Sequence, residues 1–375
     1  MFTPSATASD EFASKLERLS EVARAADVHT VVLRRQGALS WLFGARSHVP
    51  YTLENNWFEA VVHVGSGAST GLSASVPQVT IVVNGIEGPR LRDTELADFD
   101  VDWKIVLWWE SREDALPDGP GVGSDRPYRD VVDLSADIAR MRRTLTNAQV
   151  AELRDVCEES ALVATQVAAR LSPRMTEYEA AALMTEGLLA RGMEPVTILA
   201  AGGERGGAHR HPLPLDRPLG ERAMLVLCGR RAGLISAVTR IVSFGATTSA
   251  QQDSYRRLLE VEATFLDATR VGATIGEAFA RGIAGYQEFG FAAGEWHRHH
   301  QGGFSGWESR EYPAYSTHTD VIEANSVIAW NPTADGLKVE DTIVARESGP
   351  ELLVHDPLWP MVEVRGRMRP AILEL

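Results

Sequence analysis

Cysteine is scarce in this chain of 375 residues, where Cys157 and Cys228 are the only two. Two cysteines are too few for a disulfide framework or a four-cysteine zinc site, so the sequence fits a reducing compartment. Long apolar runs are missing, and the N-terminus lacks the basic and apolar regions of a secretion signal. We therefore expect a cytoplasmic protein.

Positive charge is in deficit, with 37 Lys+Arg against 51 Asp+Glu and a formal net charge of -14. A field of this sign repels phosphate backbones and anionic lipid, so we expect neither nucleic acid nor a membrane as a partner. No repeat of fixed period is visible, which excludes solenoids and propellers. The length predicts two domains or one large one.

Hydrophobic periodicity changes near residue 134. The predicted helices cover 9–26, 138–145, 147–171, 176–191, 249–269 and 275–289, and the predicted strands cover 29–33, 60–64, 79–83, 104–109, 196–200, 223–227, 234–243, 326–331, 337–345 and 351–354. Helices collected in the middle, with strands on both sides, are typical of an α+β protein. We predict a small α/β domain over 1–134 and an α+β domain over 135–375.

A first candidate for chemistry is the histidine cluster at His297, His299 and His300, which two glycines follow. On a strand, His297 and His299 share one face while His300 points to the other, so at most two of them reach one site. A polar surface patch without a ligand is the alternative.

A second candidate is the pair His209 and His211, which precedes Pro212. Strand alternation would place both imidazoles on one side. A neutral imidazole near its usual pKa of about 6.5 can take or give a proton, so either histidine is a general acid-base candidate. Half-exposed loop histidines are the alternative.

Two charged motifs complete the candidates. Adjacent acids Glu340 and Asp341 lie in an apolar strand pattern and face opposite ways, so the inward carboxylate needs a cation, a metal or a hydrogen-bond network. Arg310, in Ser-Arg-Glu-Tyr-Pro with Glu311, could clamp a substrate carboxylate with two parallel hydrogen bonds, or form a structural ion pair.

In this order, the segments resemble the creatinase and aminopeptidase P family of pita-bread hydrolases, which includes prolidase and methionine aminopeptidase. The resemblance covers most of the chain. It rests on the segments 209–212, 216–218, 236–240, 299–303, 330–332 and 339–342, with two helices before the fourth of them. It implies a pita-bread catalytic domain behind a smaller creatinase-like domain, where 39–44 is similar to an apolar strand that leads to a glycine. It also implies a homodimer.

The metal-dependent members hold two divalent ions with two aspartates, one histidine and two glutamates. At the matching positions this chain has Val226 or Cys228 for the first aspartate, Ala237 for the second, and Asn331 for one glutamate. His299 or His300 and Glu340 match the remaining ligands. Because two ligands cannot build a dinuclear centre, we expect no metal at this site and no cofactor.

Creatinase is the precedent in this family for C–N cleavage without metal, by a histidine acid-base and arginines that hold the substrate carboxylate. Its similarity implies catalytic roles for His209, His211, His299, His300 and Glu340. It implies substrate binding by Arg310, Arg46, Asn331, Thr239 and Glu311. Thr239 and Asn331 stand where creatinase has glutamates for its guanidinium group, so creatine is not the expected substrate.

The leading hypothesis is a metal-independent hydrolase that cleaves a C–N bond of a small molecule or short peptide bearing a carboxylate. One alternative is a catalytically silent pita-bread protein that binds a peptide, a metabolite or a protein partner. A lyase that uses the same imidazole is a second alternative, and a metal-dependent Xaa-Pro aminopeptidase is a third.

Overall fold

The computed structural model describes residues 6–44, 56–64 and 78–375. The chain divides into two compact units, Met1–Arg142 and Arg143–Leu375. The boundary expected after residue 134 precedes the helix Ser135–Arg142, which packs against two earlier helices of the first unit.

Helices and strands alternate in the first unit and segregate in the second. The helices are α1 (Ala6–Ala25), α2 (Gln36–Phe43), α3 (Gly88–Asp93), α4 (Ser135–Arg142), α5 (Asn147–Ala168), α6 (Glu177–Leu189), α7 (Gly203–Ala208), α8 (Ser249–Ala268) and α9 (Ile275–Glu288), with short 3-10 helices at Arg112–Ala115 and Glu295–Arg298. The strands are β1 (Thr30–Leu33), β2 (Phe58–His63), β3 (Gln78–Asn84), β4 (Asp102–Val106), β5 (Val122–Ser124), β6 (Val132–Asp133), β7 (Glu194–Gly202), β8 (Arg222–Arg231), β9 (Leu234–Ile235), β10 (Val238–Ser243), β11 (Gly302–Phe304), β12 (Val327–Trp330), β13 (Thr333–Ala334), β14 (Leu337–Lys338), β15 (Asp341–Arg346), β16 (Gly349–Leu352), β17 (Met361–Val364), β18 (Arg367–Pro370) and β19 (Leu373–Glu374). No described helix has both the length and the apolarity needed to cross a membrane.

The first unit is built on a sheet with the strand order β4-β3-β2-β1-β5-β6. Helix α1 begins at Ala6 rather than at Ser9, and buries Leu16, Leu19 and Ala23. The expected strand over 39–44 is wrong, because these residues form α2 and its cap. Gly44 ends that helix at φ 60° and donates its N–H to the Ser40 carbonyl, a conformation that glycine adopts without steric cost.

The long helices of the second unit share one local start signal. At each of α5, α6, α8 and α9 a threonine accepts a hydrogen bond from the backbone N–H three residues on, and the Gln or Glu there reaches back to the threonine N–H. This capping box satisfies two backbone donors that the helix itself leaves free. The helix starts are therefore fixed by the local sequence.

The second unit carries a sheet of nine strands that follows the path β11-β12-β15-β10-β8-β7, with β9, β16 and β19 paired to it off that path. The hairpin β7-β8 and the pair β8-β10 are antiparallel, with Val226 opposite both Leu199 and Thr239. The expected single strand over 337–345 is divided into β14 and β15. The arrangement is the predicted α+β class.

Helices α8 and α9 cover this sheet through an aromatic core. Phe265 of α8 is fully buried and lies 4.8 Å from the Trp330 ring of β12, centroid to centroid. Trp330 Nε1 donates to Thr269 Oγ1 at 2.8 Å, so its one polar atom is satisfied. A Cβ atom on Gly282 of α9 would come 2.0 Å from the Phe265 ring. Glycine is therefore required where the two helices approach.

Candidate active site

A cavity of about 310 Å³ opens on one face of the second unit's sheet. Alternate residues of β7 and β8 form its wall, because side chains two apart on a strand share a face. Its lining residues are Thr197, Leu199, His211, Val226, Cys228, His300, Ser309, Arg310, Asn331, Lys338 and Glu340. One wall is thus apolar and the other carries the charged and hydrogen-bonding groups.

Glu340 is the only carboxylate among those lining residues, and two cations hold it. Lys338 Nζ lies 2.7 Å from Glu340 Oε2, and an Arg310 terminal nitrogen pairs with Glu340 Oε1. Thr239 Oγ1 donates to Oε2 at 3.1 Å. The Lys338 and Glu340 side chains are each only 3% exposed, so the charges meet where water screens them little.

The two cations decide the ionisation of Glu340. Burial alone would raise the pKa of this carboxyl, but the charges and hydrogen bonds of Lys338 and Arg310 hold its pKa well below the usual range. Glu340 is therefore an anion whose two oxygens are both engaged. The adjacent Asp341 faces a different pair, Arg240 at 2.9 Å and Arg369 at 3.0 Å. The adjacent acids thus have different partners, and of the three possibilities left open for the inward carboxylate, a cation, a metal or a hydrogen-bond network, the structure shows cations at both acids.

Three imidazoles meet beside this ion cluster. His211 Nε2 and His299 Nε2 are 2.9 Å apart, within hydrogen-bond distance. The His299 and His300 ring centroids are 4.4 Å apart, and His211 is 5.5 Å from His300 on the same measure. His211, His299 and His300 each have one ring nitrogen in a group of three that lie within 4.8 Å of one another.

The surroundings keep these imidazoles neutral. Burial, together with the nearby Lys338 cation and the other two rings, lowers the pKa of His299 to about 2. Burial and the Arg310 charge lower the pKa of His300 to about 4, and burial and Lys338 lower the pKa of His211. Neutral rings present a lone pair at physiological pH, which a proton acceptor needs.

One ion pair and two hydrogen bonds fix the histidine segments in place. Arg210, next to His211, pairs with Glu295 of the 3-10 helix that leads to His299. Gln301 is fully buried, and its amide nitrogen donates to the His299 carbonyl at 2.5 Å while its oxygen accepts from Tyr286 at 2.7 Å. The imidazoles are thus presented by segments that neighbouring side chains fix.

Three buried polar atoms of the cavity lining have no hydrogen-bond partner among the described residues. They are Nε of Arg310, a donor, Oδ1 of Asn331, an acceptor, and Nδ1 of His300. A buried polar atom without a partner is uncommon in proteins. A ligand with one acceptor and one donor could satisfy the arginine and asparagine atoms.

The structure brings together most of the residues predicted for the site, but not all. His209 is exposed and ends helix α7, its N–H bonded to the Arg205 carbonyl at 2.9 Å, so the expected alternation with His211 on a strand is wrong. Glu311 lies outside the cavity lining and bonds through its backbone to Phe304. Arg46 lies outside the described residues.

The strand alternation expected for His297, His299 and His300 is also wrong. His297 lies in the 3-10 helix Glu295–Arg298, and the chain then turns extended at His299. His299 and His300 consequently both reach His211, although alternation would have separated them. The 3-10 turn, which has no apolar periodicity of its own, decides this geometry.

Lys338 is a site residue that was not predicted from the sequence. It precedes Glu340 by two positions in an extended segment, the spacing at which side chains share a face. A lysine and a glutamate at that spacing within an apolar pattern indicate a buried ion pair, and the sequence contained this signal. Ser309 of the lining was likewise not singled out.

The comparisons with known proteins identify the family. Residues 151–347 match the family described as Metallopeptidase family M24. This match covers more than half of the chain, and the protein belongs to that family.

Curated relatives match over a shorter stretch. An uncharacterized peptidase of Staphylococcus haemolyticus is 33% identical over 131 residues, which cover 32% of this chain and 35% of that relative. An uncharacterized peptidase of Staphylococcus aureus strain MW2 is 29% identical over 128 residues, again 35% of its length. The chain thus matches about a third of the length of these relatives.

Solved structures are similar over nearly the whole chain. The prolidase of Pyrococcus horikoshii OT3 has a TM-score of 0.75 at 17% identity, covering 92% of this chain and 99% of its own. The Xaa-Pro dipeptidase of Bacillus anthracis has a TM-score of 0.72 at 16% identity, covering 97% and 100%. The X-Pro aminopeptidase of Thermotoga maritima has a TM-score of 0.72 at 14% identity, covering 96% and 99%. The predicted fold, a small α/β domain followed by a pita-bread domain, is confirmed.

Proposed function

We propose that this chain is a hydrolase that cleaves a C–N bond of a small carboxylate-bearing molecule without a dinuclear metal centre. The observation that carries the proposal is the pairing of Glu340 on both oxygens with Lys338 and Arg310. Two cations and one carboxylate leave the cavity lining with one positive charge in excess. A small cavity of that charge suits a small anion.

The dinuclear centre implied by the family does not fit the residues present. Its carboxylate positions correspond to Val226 or Cys228, Ala237 and Asn331, none of which offers an anionic oxygen. Burial raises the pKa of the Cys228 thiol to about 11, so it stays protonated and is a poor metal ligand. The remaining carboxylate, Glu340, already has cations on both oxygens, in the place where metal charges would be needed.

His211 is the acid-base in this proposal. It is the most exposed of the three imidazoles and lines the cavity. His211 takes a proton from water as the water oxygen bonds to the carbonyl carbon, and gives that proton to the leaving nitrogen as the C–N bond breaks. The neighbouring His299 holds the His211 ring through their Nε2 contact.

The substrate carboxylate binds at Arg310, and its amide is held by Asn331. Both residues have an unpartnered buried atom at the cavity, a donor on Arg310 and an acceptor on Asn331. Glu340 acts indirectly, because it fixes Arg310 and Lys338 in place, and Thr239 acts through its hydrogen bond to Glu340. Arg46 remains a sequence-based candidate for the same carboxylate, and a homodimer and a cytoplasmic location remain predictions.

A metal-dependent peptidase is the second candidate, favoured by membership of a metallopeptidase family and by the three clustered imidazoles. The two candidates differ in what a chelator does. Protein treated with a chelator and dialysed is incubated with dipeptides and N-acyl amino acids, and products are identified by mass spectrometry. The proposal expects undiminished turnover, whereas turnover lost with the chelator and restored by manganese or cobalt establishes the metal-dependent candidate.

Substitution of single histidines tests the acid-base assignment. H211A should lower kcat by about 100- to 10,000-fold, the usual range for removal of a general acid-base. H209A, at an exposed position outside the cavity, and H355A, a second exposed histidine, serve as matched controls and should keep activity within about twofold. Full activity in H211A eliminates the assignment, and ligand binding without product in the unsubstituted protein supports a catalytically silent binder.

A further inference from the structure

We infer that His211, His299 and His300 form a binding site for a single transition-metal ion of the zinc type, and that its occupation inhibits hydrolysis. The site lies at the same cavity as the proposed reaction but goes beyond it. It shares at most one histidine with the dinuclear centre that the family implies, and uses none of that centre's carboxylates.

The distances suit nitrogen ligands of one ion. Zinc binds imidazole nitrogen at about 2.0–2.1 Å, so two ligands of a tetrahedral ion are about 3.3 Å apart. His211 Nε2 and His299 Nε2 are 2.9 Å apart, and a nitrogen of His300 completes a set within 4.8 Å. Small ring rotations bring the three nitrogens to ligand spacing, and the exposed His211 leaves a path of entry.

Neighbouring side chains hold the two histidine segments in place. Arg210 and Glu295 pair across the two histidine segments, and both side chains are largely buried, at 14% and 12% exposure. Gln301 holds the chain at His299 and is itself held by Tyr286. Residues that orient the ligands in this way determine how well a metal site is preorganised.

Two nitrogens of the cluster also lack a partner. Nδ1 of His299 and Nδ1 of His300 are buried, and no described residue bonds to either. An ion or a water molecule is an ordinary reason for such an unpaired atom in a native protein. Because His299 would bind the ion through Nε2, the ion accounts for the unpaired Nδ1 of His300 and a water molecule for that of His299.

The ligand type selects the metal. Three neutral imidazoles suit zinc, copper, nickel and cobalt, whereas magnesium and calcium require oxygen ligands. The charges of Lys338 and Arg310, only partly balanced by Glu340, weaken the affinity of any dication. We therefore expect a reversible site rather than a permanently filled one.

Occupation of this site removes the proposed acid-base from the reaction. A metal ion takes the lone pair of His211, and a ring whose lone pair is bound cannot accept a proton. Zinc should accordingly lower turnover, and a chelator should restore it.

The test uses the full-length protein after chelator treatment and dialysis. Zinc is titrated against a chromophoric chelator, cobalt is followed by its visible d–d absorption, and magnesium is the negative control. We expect one zinc per chain. H211A and H299A should each lower the zinc affinity at least about 100-fold, because removal of a direct ligand should exceed the 10- to 100-fold effect of losing a supporting residue. H355A should leave the zinc affinity unchanged. His211 is exposed, so H211A remains informative even if H299A does not fold.

The outcomes separate this site from the proposed reaction. Absence of stoichiometric zinc binding, or binding that H211A leaves intact, overturns the metal site whatever the protein hydrolyses. Zinc that binds to the three histidines but starts turnover in an otherwise inactive protein overturns the inhibitory role and the metal-independent reaction together. Binding with reversible inhibition supports both.

Discussion

Replacement of Lys338 by methionine is the sharpest test of the buried ion cluster. The variant removes one of the two cations on Glu340, while the side chain that remains is similar in length. Breaking a buried pair by removing one partner costs about 3–5 kcal/mol. Because Arg310 still pairs with Glu340, we expect the lower end of that range, about 3 kcal/mol, which lowers the melting temperature of a unit of this size by roughly 6–12 °C.

The pH dependence identifies the cause of that loss. In the unsubstituted protein the lowered pKa of Glu340 contributes stability above its unfolded pKa of about 4.3, and this contribution is lost as the pH falls further. In K338M the folded pKa of Glu340 rises, so its carboxyl takes up a proton at higher pH. The stability difference between the two proteins should therefore shrink as the pH falls below the folded pKa of Glu340 in K338M.

Urea denaturation at several pH values measures both effects. The double variant K338M/E340Q should cost less than the sum of the two single variants by at least about 1 kcal/mol, because the residues act as a pair. R298A is the matched control, since its ion pair with Glu295 is 3.6 Å long and Arg298 is 68% exposed. That control should cost less than about 1 kcal/mol. A cost for K338M no larger than that of R298A would refute the reasoning.

Three further predictions concern other parts of the site. Lowering the pH from 7 to 5.5 should destabilise the fold by roughly 1–3 kcal/mol, as measured by urea denaturation. The reason is that His299 and His300 stay neutral in the fold, whereas unfolded imidazoles bind protons below pH about 6.5. Equal stability at both pH values would contradict this. R310K should raise KM about 10- to 100-fold in steady-state kinetics through loss of a charged hydrogen bond, and an unchanged KM would remove Arg310 from substrate binding. G302A should lower the free energy of unfolding by more than about 3 kcal/mol, because Gly302 has φ +105° and a Cβ there would lie 2.0 Å from the Ala329 carbonyl oxygen. A loss below about 1 kcal/mol in the same denaturation assay would exclude that clash.

The fold could be predicted where a local pattern determines it. The helices α5, α6, α8 and α9 follow from apolar periodicity that begins after a threonine N-cap, and the strands β1 to β3 follow from short β-branched runs. The prediction failed at 39–44, where an apolar run without a period of its own forms α2. An apolar run of that length is compatible with a buried strand and with a buried helix alike.

The site could be predicted only in part, because tertiary contacts assemble it. The sequence indicates His211, His299 and Glu340 as candidates, but the pairing of Arg210 with Glu295 that brings two histidine segments together spans 85 positions. The ion pair of Arg310 with Glu340 likewise spans 30 positions. No periodicity encodes contacts of this length, so the preference for His211 over His209 comes from the folded structure.

The single excess positive charge of the cavity lining beside Glu340 determines which substrate analogues should bind and how the products should behave. A methyl ester or primary amide of the same outline arrives without an anion and leaves the residual cation uncompensated, so esterification should abolish recognition although the shape still fits. Hydrolysis of the dipeptides and N-acyl amino acids proposed as substrates leaves the original carboxylate on the amine fragment and creates a second carboxylate on the acyl fragment. Both products of the proposed reaction therefore carry a carboxylate and should compete with the substrate for the residual cation.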